Sequence, residues 1–296
     1  MNKLQDNNGS LQLATMKSKD MPIYIIVPTY NRAETTLQCI DRIHKSPGDK
    51  RLYICDSASN DGTAEAVETI PGVILVNTGE RSWWSASINA GIKLALGDGA
   101  EKVIIMNDDI VFDDSLLLNL LDVYNRNPTS IVTPIQHTDS GSYAGTIYKG
   151  ICKKPEIQRE AVIEQVVHTS NGCCLLIPRV VIENVGFIDE VNCPHLYGDT
   201  EFQLRAHKAG FKTIVASNAR IVQIGSTDYL GRLYSQSIFS YEGSPLNIRA
   251  YHAFGRILYN GTIPFILLGW SYHLDFIRVL AKILLLRASR LLLASR

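Results

Sequence analysis

The sequence predicts an α/β fold: a mixed, mostly parallel sheet flanked by helices, followed by a helical amphipathic appendage. Three observations lead there. Short β-branched runs alternate with helical stretches from Pro22 to Asp109. A polar cluster stands directly behind four of those runs. From about Pro264 the chain turns rich in Leu and Ile, with basic residues spread through it.

IYIIV, Ile23 to Val27, reads as a buried strand. PTYNRAETT follows, then a helix with Leu37, Ile40 and Ile43 on one face. LYIC, Leu52 to Cys55, is the next strand, with the loop DSASNDGT and the short helix AEAVETI behind it. VILV, Val73 to Val76, is a third strand, trailed by NTGERSWW and a helix through Ile88, Ile92 and Ala95. VIIM, Val103 to Met106, is a fourth. Such alternation implies parallel strands with helices on both faces, and ligands of these sheets bind outside the carboxyl ends of the strands. The segments Thr29 to Arg32, Asp56 to Asp61, Thr78 to Trp84 and Asn107 to Asp109 all fall at those ends.

In the second half SIVTPI is strand-like and SYAGTIYKG is hairpin material. VVHTSNGCCLLIPR carries strand signals around a Gly turn, GDTEFQLRAHKAG is a helix closed by Gly210, and FKTIVASNARIVQIG returns to strand pattern. There is no internal repeat. In the tail, Trp270 and Tyr272 precede Arg278, Lys282, Arg287, Arg290 and Arg296, with Asp275 the only acid. That pattern suits a helix lying in a membrane interface. The alternative is a tail helix packed on the domain or on a second subunit, giving a homo-oligomer.

Composition narrows the function. The 296 residues are 46% hydrophobic and 20% charged with a formal net charge of +0, so no basic excess exists to neutralise nucleic-acid phosphates. Six cysteines occur without a Cys-x-x-Cys pair or a zinc pattern, which fits a reducing cytosol. The first 21 residues lack the apolar core of a signal peptide and read as a polar, mobile leader. No uninterrupted apolar run reaches the roughly 18 residues of a membrane span.

The chemistry-bearing residues centre on VIIMNDDIVFD. Two adjacent carboxylates beside an apolar strand are costly unless a cation or hydrogen-bond donors meet them. Hard oxygen ligands at a strand end suit Mg²⁺ or Mn²⁺, completed by water and substrate phosphates. Asn and Asp are also ordinary turn formers; Asp56 and Asp61 at the same edge tip the balance toward a site. Asp56 can accept a hydrogen bond from a base or ribose, or close an Asx turn. Trp83 and Trp84 can offer a flat face to a sugar or join the core. Asp199, at a helix N-terminus, is held as a carboxylate by the dipole or serves as an N-cap beside Glu201. Arg205 can pair with Asp199, Glu201 or a phosphate, and His195 lies just before Asp199.

In that order, IIVPTYNR, DSASNDGT, Asn107-Asp108-Asp109 and NGCCLLIPRVVIENVGFIDE with GDTEFQLRAHKAG resemble a family-2 glycosyltransferase over about residues 22 to 225. RSWWSASINAGI before the acidic motif resembles the bacterial rhamnosyltransferase-type members that build surface polysaccharides such as O-antigen. The resemblance implies a GT-A (Rossmann-like) fold, a nucleotide-diphosphate sugar donor, a divalent metal and inversion at the anomeric carbon. By position, Pro28, Thr29, Tyr30 and Arg32 line the nucleotide pocket, and Asp56 meets the base or ribose. Asn107, Asp108 and Asp109 stand for the Asp-x-Asp motif, with Asp109 the metal ligand. Asp199 matches the catalytic base. Apart from the resemblance, their own chemistry puts Trp83 and Trp84 with the donor-binding candidates, one of them facing the donor or acceptor sugar and the other free to join the core. His195 and Arg205 are acceptor candidates beside their structural alternatives. Three residues depart from the family pattern: Asn107 replaces an Asp, Gly198 stands where Glu is frequent, and Gln223 lies where many members place a metal-binding His.

The resulting expectation divides the chain into a leader (1–21), a GT-A catalytic domain (22–240) and a C-terminal helical segment that meets membrane or a second subunit (241–296). The enzyme would pass a sugar from a dTDP- or UDP-sugar to a glycan or lipid-linked acceptor, in the cytoplasm on the inner face of the cell membrane. A sugar-nucleotide nucleotidyltransferase is the rival enzyme, although PTYNRAETT is not the Gly-rich loop it would need. A non-catalytic nucleotide-sugar-binding subunit is the rival outside catalysis.

Overall fold

The structure, a computed structural model, describes residues 22–80, 82–138, 141–224 and 247–294. The expected mobile leader lies outside the described residues, as do Arg296 and the boundary drawn at residue 240. In chain order the first half forms β1 (Ile23–Thr29), α1 (Ala33–Lys45), β2 (Lys50–Asp56), α2 (Thr63–Glu68), β3 (Val73–Asn77), α3 (Trp84–Gly97), β4 (Lys102–Met106), β5 (Ile110–Val111) and α4 (Leu116–Arg126). Then come β6 (Ile131–Thr138), β7 (Gly141–Tyr143), β8 (Thr146–Lys149), β9 (Lys154–Ile157), β10 (Gln165–Val167), β11 (Cys174–Pro178), α5 (Arg179–Val185), α6 (Gly198–Lys208) and β12 (Thr213–Gln223). Three helices close the chain: α7 (Ile248–Tyr259), α8 (Thr262–Leu268) and α9 (Trp270–Ala294).

The main sheet runs β10-β12-β6-β11-β4-β1-β2-β3. β3, β2, β1 and β4 are parallel neighbours, while β11 enters antiparallel beside β4, pairing Cys174 with Met106. The sheet is therefore mixed, as the sequence predicts. Side chains alternate across each strand. Ile23, Ile25 and Val27 face a core shared with α1 and α4, whereas Tyr24 and Ile26 face a second core under α3, α5 and α6. Both faces are thus covered, and β4 is buried at every residue. On α1 the buried stripe is Thr36, Cys39, Ile40 and Ile43. Leu37 is only half-buried, because the helix rotates Thr36 inward beneath the site.

SYAGTIYKG does not make one hairpin. β7 folds back on β6 and β8 pairs with β9, so the segment is split between two. Gly145, at φ +107, turns the chain between them. An added Cβ there would lie 2.9 Å from the Thr169 carbonyl, so the left-handed turn also needs the missing side chain.

The C-terminal helices pack through their own apolar cluster, in which Tyr251, Phe254, Leu258, Tyr259 and Phe265 meet Leu204 of α6. Asn247 caps α7 by accepting from the Arg249 and Ala250 amides, and Asn260 ends it in the left-handed region. Among the described residues no single helix is long and apolar enough to cross a membrane. α8 and the Tyr272–Leu285 part of α9 have that composition jointly but meet at a 72° bend.

Gly91 of α3 shows how closely the second core is packed. A Cβ at this position would lie 2.4 Å from Ile26 Cγ2 and 2.8 Å from Cys55 Sγ. Gly91→Ala is expected to lose about 1–3 kcal/mol through overpacking, overriding the ~1 kcal/mol that Ala gains in helix propensity. Chemical denaturation measures this, and a stability equal to or above wild type would contradict the close approach.

Candidate active site

The carboxyl ends of β1, β2 and β4 converge, as the strand pattern requires. Asp108 is buried, and its Oδ1 accepts from Arg32 Nη1 at 2.9 Å. Its Oδ2 accepts from the hydroxyls of Thr29 at 3.3 Å and Thr36 at 3.2 Å. Burial still holds the Asp108 carboxyl above its ordinary pKa; Arg32 pulls it down and Asp109 pushes it further up. For Arg32 burial works against the charge, but the two carboxylates prevail and raise its pKa. The cation that the buried acidic pair demands is therefore Arg32 of this chain.

Asp109 is also buried. Its Oδ2 lies 3.4 Å from Arg32 Nη1 and 3.4 Å from the donating Gln223 Nε2, while its Oδ1 has no hydrogen-bond partner. Orphaned buried oxygens are rare and call for an explanation. A divalent cation completed by water and substrate phosphate fits one, since Mg²⁺ uses one or two protein carboxylates rather than a full cage. Among the described residues no group of three or more His, Cys, Asp or Glu side chains gathers to hold a metal ion. The fit is thus to a site that ligand phosphates complete. Gln223 does stand beside Asp109, but it turns its amide N–H to the carboxylate. Its carbonyl accepts from Gln136 Nε2 at 2.7 Å, and Gln136 in turn accepts from Asn171 Nδ2 at 2.7 Å.

The two loops behind β1 and β2 clasp each other. The Asn31 amide donates to Ser59 Oγ at 2.8 Å, and Asn31 Oδ1 accepts from the Asn60 amide at 2.8 Å. Asp61 accepts from the Ala33 and Thr63 amides, both at 3.1 Å, so one side chain serves the starts of α1 and α2. This fixes Arg32 over the acidic pair. Asp56 is buried and closes an Asx turn, accepting from the Ser59 amide at 2.9 Å and from the Ser59 hydroxyl. Pro28 lies within β1 against Cys55, and Tyr30 is exposed at the rim.

The tryptophans take different places. Trp84 donates its indole N–H to Asn107 Oδ1 at 2.9 Å and lies against Gly172, where a Cβ would come within 2.9 Å of its ring. Trp83 precedes α3 and places its ring 5.3 Å from that of His195. The substitution at Asn107 thus has a structural partner in Trp84.

Asp199 reaches the same edge from the other side. It sits in the first turn of α6, one residue past the helix start. Its Oδ2 accepts from the Gly172 amide at 2.5 Å and its Oδ1 from the Thr200 amide at 2.7 Å. Burial raises its pKa, opposed by those amides and the Thr200 hydroxyl. The helix dipole that the sequence invokes does not dominate; desolvation does. A Cβ on Gly198 would lie 2.5 Å from Ser85 Oγ, so a Glu at that position has no room here. Gln203, fully buried, grips the Ser170 peptide with both ends of its amide and holds the Asp199 carbonyl at 3.0 Å.

Arg205 is committed elsewhere. Its guanidinium donates to Glu201 at 2.7 and 2.9 Å, to Phe187 O at 2.7 Å and to Val185 O. It ties α6 to the end of α5 rather than offering a free cation. Cys173, between Asn107 and Gln223, has its thiol pushed up to about 12 by burial, with Asp109 and Asp199 adding to the effect, and stays protonated. The sequence gives no sign of Thr36, Gln136 or Gln203, whereas Asn171-Gly172 reads as a turn whose backbone can approach a donor sugar.

Residues 24–186, more than half of the chain, match glycosyl transferase family 2, and the chain belongs to that family. No curated protein sequence matches it. Among solved structures it is similar to GalNAc-T7 with UDP, GalNAc and Mn²⁺, at 11% identity and a TM-score of 0.57 over 82% of this chain. This chain spans 58% of that protein's length. It is also similar to the mannosyltransferase PcManGT from Pyrobaculum calidifontis in complex with GDP-Man and Mn²⁺, at 16% identity and a TM-score of 0.53, over 93% of this chain and 87% of the other. These likenesses place the fold among GT-A glycosyltransferases.

The ion pair at the centre of the site is open to test. Arg32→Met leaves a buried carboxylate without its cation. With Arg32 about a third exposed, the expected loss of stability is about 1–3 kcal/mol rather than the full value of a buried pair. Asp108→Asn in the Arg32→Met background should recover most of it in a double-mutant cycle. Additive losses would mean that the pair does not hold the site together.

Proposed function

We propose that the protein is an inverting glycosyltransferase of the rhamnosyltransferase type. It moves a sugar from a nucleotide-diphosphate donor, a dTDP- or UDP-sugar such as dTDP-rhamnose, to a hydroxyl of a glycan or lipid-linked acceptor in bacterial surface polysaccharide synthesis. It works as a peripheral protein on the inner face of the cell membrane, with its C-terminal helices against the bilayer. The observation that carries the reading is the joining of two acidic centres by one short backbone link. The Asn107 amide donates to the Cys173 carbonyl at 2.9 Å, and the neighbouring Gly172 amide donates to Asp199. A hydroxyl activated by Asp199 and a diphosphate held near Asp109 would thus flank one reacting carbon.

Attack by the acceptor oxygen on the anomeric carbon breaks the bond to the diphosphate. Asp199 takes the hydroxyl proton as the new bond forms. Arg32 offers fixed positive charge next to the leaving group. The chemistry supplied by Mg²⁺ or Mn²⁺ at Asp109 is neutralisation of the charge that grows on that diphosphate. Tyr30, exposed beside Arg32, is available to the base, and Trp83 with His195 to the sugars. The UDP, GDP-Man and Mn²⁺ in the two similar structures support a nucleotide-sugar donor and a divalent metal here.

Asp199→Asn should abolish transfer while nucleotide binding, followed by thermal stabilisation, stays near wild type. Turnover retained in that variant would refute the assignment. Because Asp199 must be a carboxylate to act, and burial raises its pKa, the acid limb of kcat/KM is expected above the ordinary Asp range of about 4. Activity falls as pH drops through that limb. Thr200→Val removes a donor to the carboxylate and should move the limb to higher pH; a limb that stays put would contradict the role. Wild-type protein showing neither transfer nor Mn²⁺-dependent donor hydrolysis would return the reading to a non-catalytic subunit.

A further inference from the structure

α7 carries Arg249, His252 and Arg256 at spacings of three and four, so they stand in a row on one face. Together with Asn192 and Thr262 they line a cavity of about 360 Å³. All three are exposed. The acids nearest in sequence to the cavity wall are engaged: Asp189 accepts from Asn192 Nδ2 at 2.7 Å, and Glu190 from Asn89 Nδ2 at 2.6 Å. On the C-terminal helices the sole acid is Asp275, which pairs with Arg278 at 2.8 Å. Among the described residues, therefore, no carboxylate answers the basic row.

Immediately after the cavity, α8 exposes Ile263 (71%), Ile266 (56%) and Leu267 (70%), and Trp270 (58%) follows at the same periodicity. Three large apolar side chains on the face of α8, with Trp270 just past the Gly269 break, are more than the scattered exposed residues of an ordinary surface. A cationic row bordered by such a face, with a Trp at its edge, is the combination that bilayer interfaces accept. Arginine forks match phosphate oxygens.

We propose that the Arg249–His252–Arg256 cavity binds the phosphate of an anionic membrane-lipid headgroup while the exposed face of α8 enters the upper acyl region. This deepens the membrane part of the proposed function and rests on it. Asn192 begins the loop that runs through Pro194 and His195 to Tyr197, just ahead of Asp199. The Ser85 amide at the start of α3 holds Pro194 O at 2.9 Å, and Tyr197 stacks on Phe254 of α7 at 5.2 Å. One loop therefore separates the headgroup site from Asp199.

Vesicle flotation of the full-length protein tests this. The probes are vesicles of phosphatidylcholine alone and of phosphatidylcholine with about one-third phosphatidylglycerol, an anionic surface worth roughly fivefold in affinity per basic residue. Wild type should bind the anionic vesicles, and Arg249→Gln/Arg256→Gln should bind them about 30-fold more weakly. Stabilisation by UDP with Mn²⁺ is measured in parallel and should be the same in both proteins, which shows that the variant is folded. If wild type ignores the anionic vesicles, the membrane reading and the headgroup site fall together. If the variant binds within about twofold of wild type, against the expected loss, the site falls and membrane association survives. Release of wild type by inorganic phosphate at constant ionic strength would make this a free-phosphate site and overturn the lipid assignment. Failure of UDP with Mn²⁺ to stabilise wild type would count against the donor reading, and the vesicle comparison would still decide the headgroup site.

Discussion

Asp108 and Asp109 stand at the carboxyl end of a strand that is buried at every residue, and their ion pairs with Arg32 make that placement tenable. Much of the surrounding architecture serves this pairing. Arg32 is aimed by the start of α1, which is set by Asp61 from the neighbouring loop and by the Asn31–Ser59–Asn60 clasp. Thr36 enters the core to give Asp108 a second hydroxyl donor beside Thr29. Three strand ends are thus locked to one another through polar contacts that a low-dielectric interior strengthens once they are satisfied. Within this network, among the described residues, Asp109 Oδ1 is left without a hydrogen-bond partner.

The antiparallel entry of β11 performs the second joining. Because Cys174 pairs with Met106, the residues just before β11 arrive beside the residues just after β4. Asn107 and Gly172 are brought together from opposite directions, and Gly172 reaches Asp199. The tight packing of Gly172 between Asp199 and Trp84 leaves no space for a side chain. A line of amides, Asn171 to Gln136 to Gln223 to Asp109, runs alongside and connects the same two ends by a second route. Asp199 and the acidic pair are therefore positioned relative to one another by the sheet itself.

Much of this was legible in the sequence. β1 to β4 announce themselves by period and composition, and their polar successors do meet at one edge, because parallel strands put consecutive carboxyl ends there. The Asn-Asp-Asp segment was correctly suspected for its electrostatic cost. What stayed hidden depended on long-range pairing. That Arg32 answers Asp108 requires knowing that β1 and β4 are neighbours, 76 residues apart. Of the partners the sequence offers Arg205, the structure selects Glu201, and sequence cannot show the Val185 and Phe187 carbonyls arriving across α6 to complete its shell. Asp199 stands at a helix start as expected, and the amides there do favour its carboxylate, but burial outweighs them, and local position says nothing of desolvation. SYAGTIYKG does supply hairpin strands, but the partner of each lies outside the segment, which sequence does not show.

The central claim is that Asp109, held in place by Arg32 and Gln223, presents one free oxygen to a cation that a nucleotide diphosphate completes. Mn²⁺ titration followed by electron paramagnetic resonance, which counts the free ion, addresses it without any turnover. In wild-type protein UDP should tighten Mn²⁺ binding by about tenfold or more, equivalent to ~1.4 kcal/mol of coupling, and Asp109→Asn should remove that coupling. Mn²⁺ affinity that UDP leaves unchanged in wild type, or coupling that survives Asp109→Asn, would contradict the account.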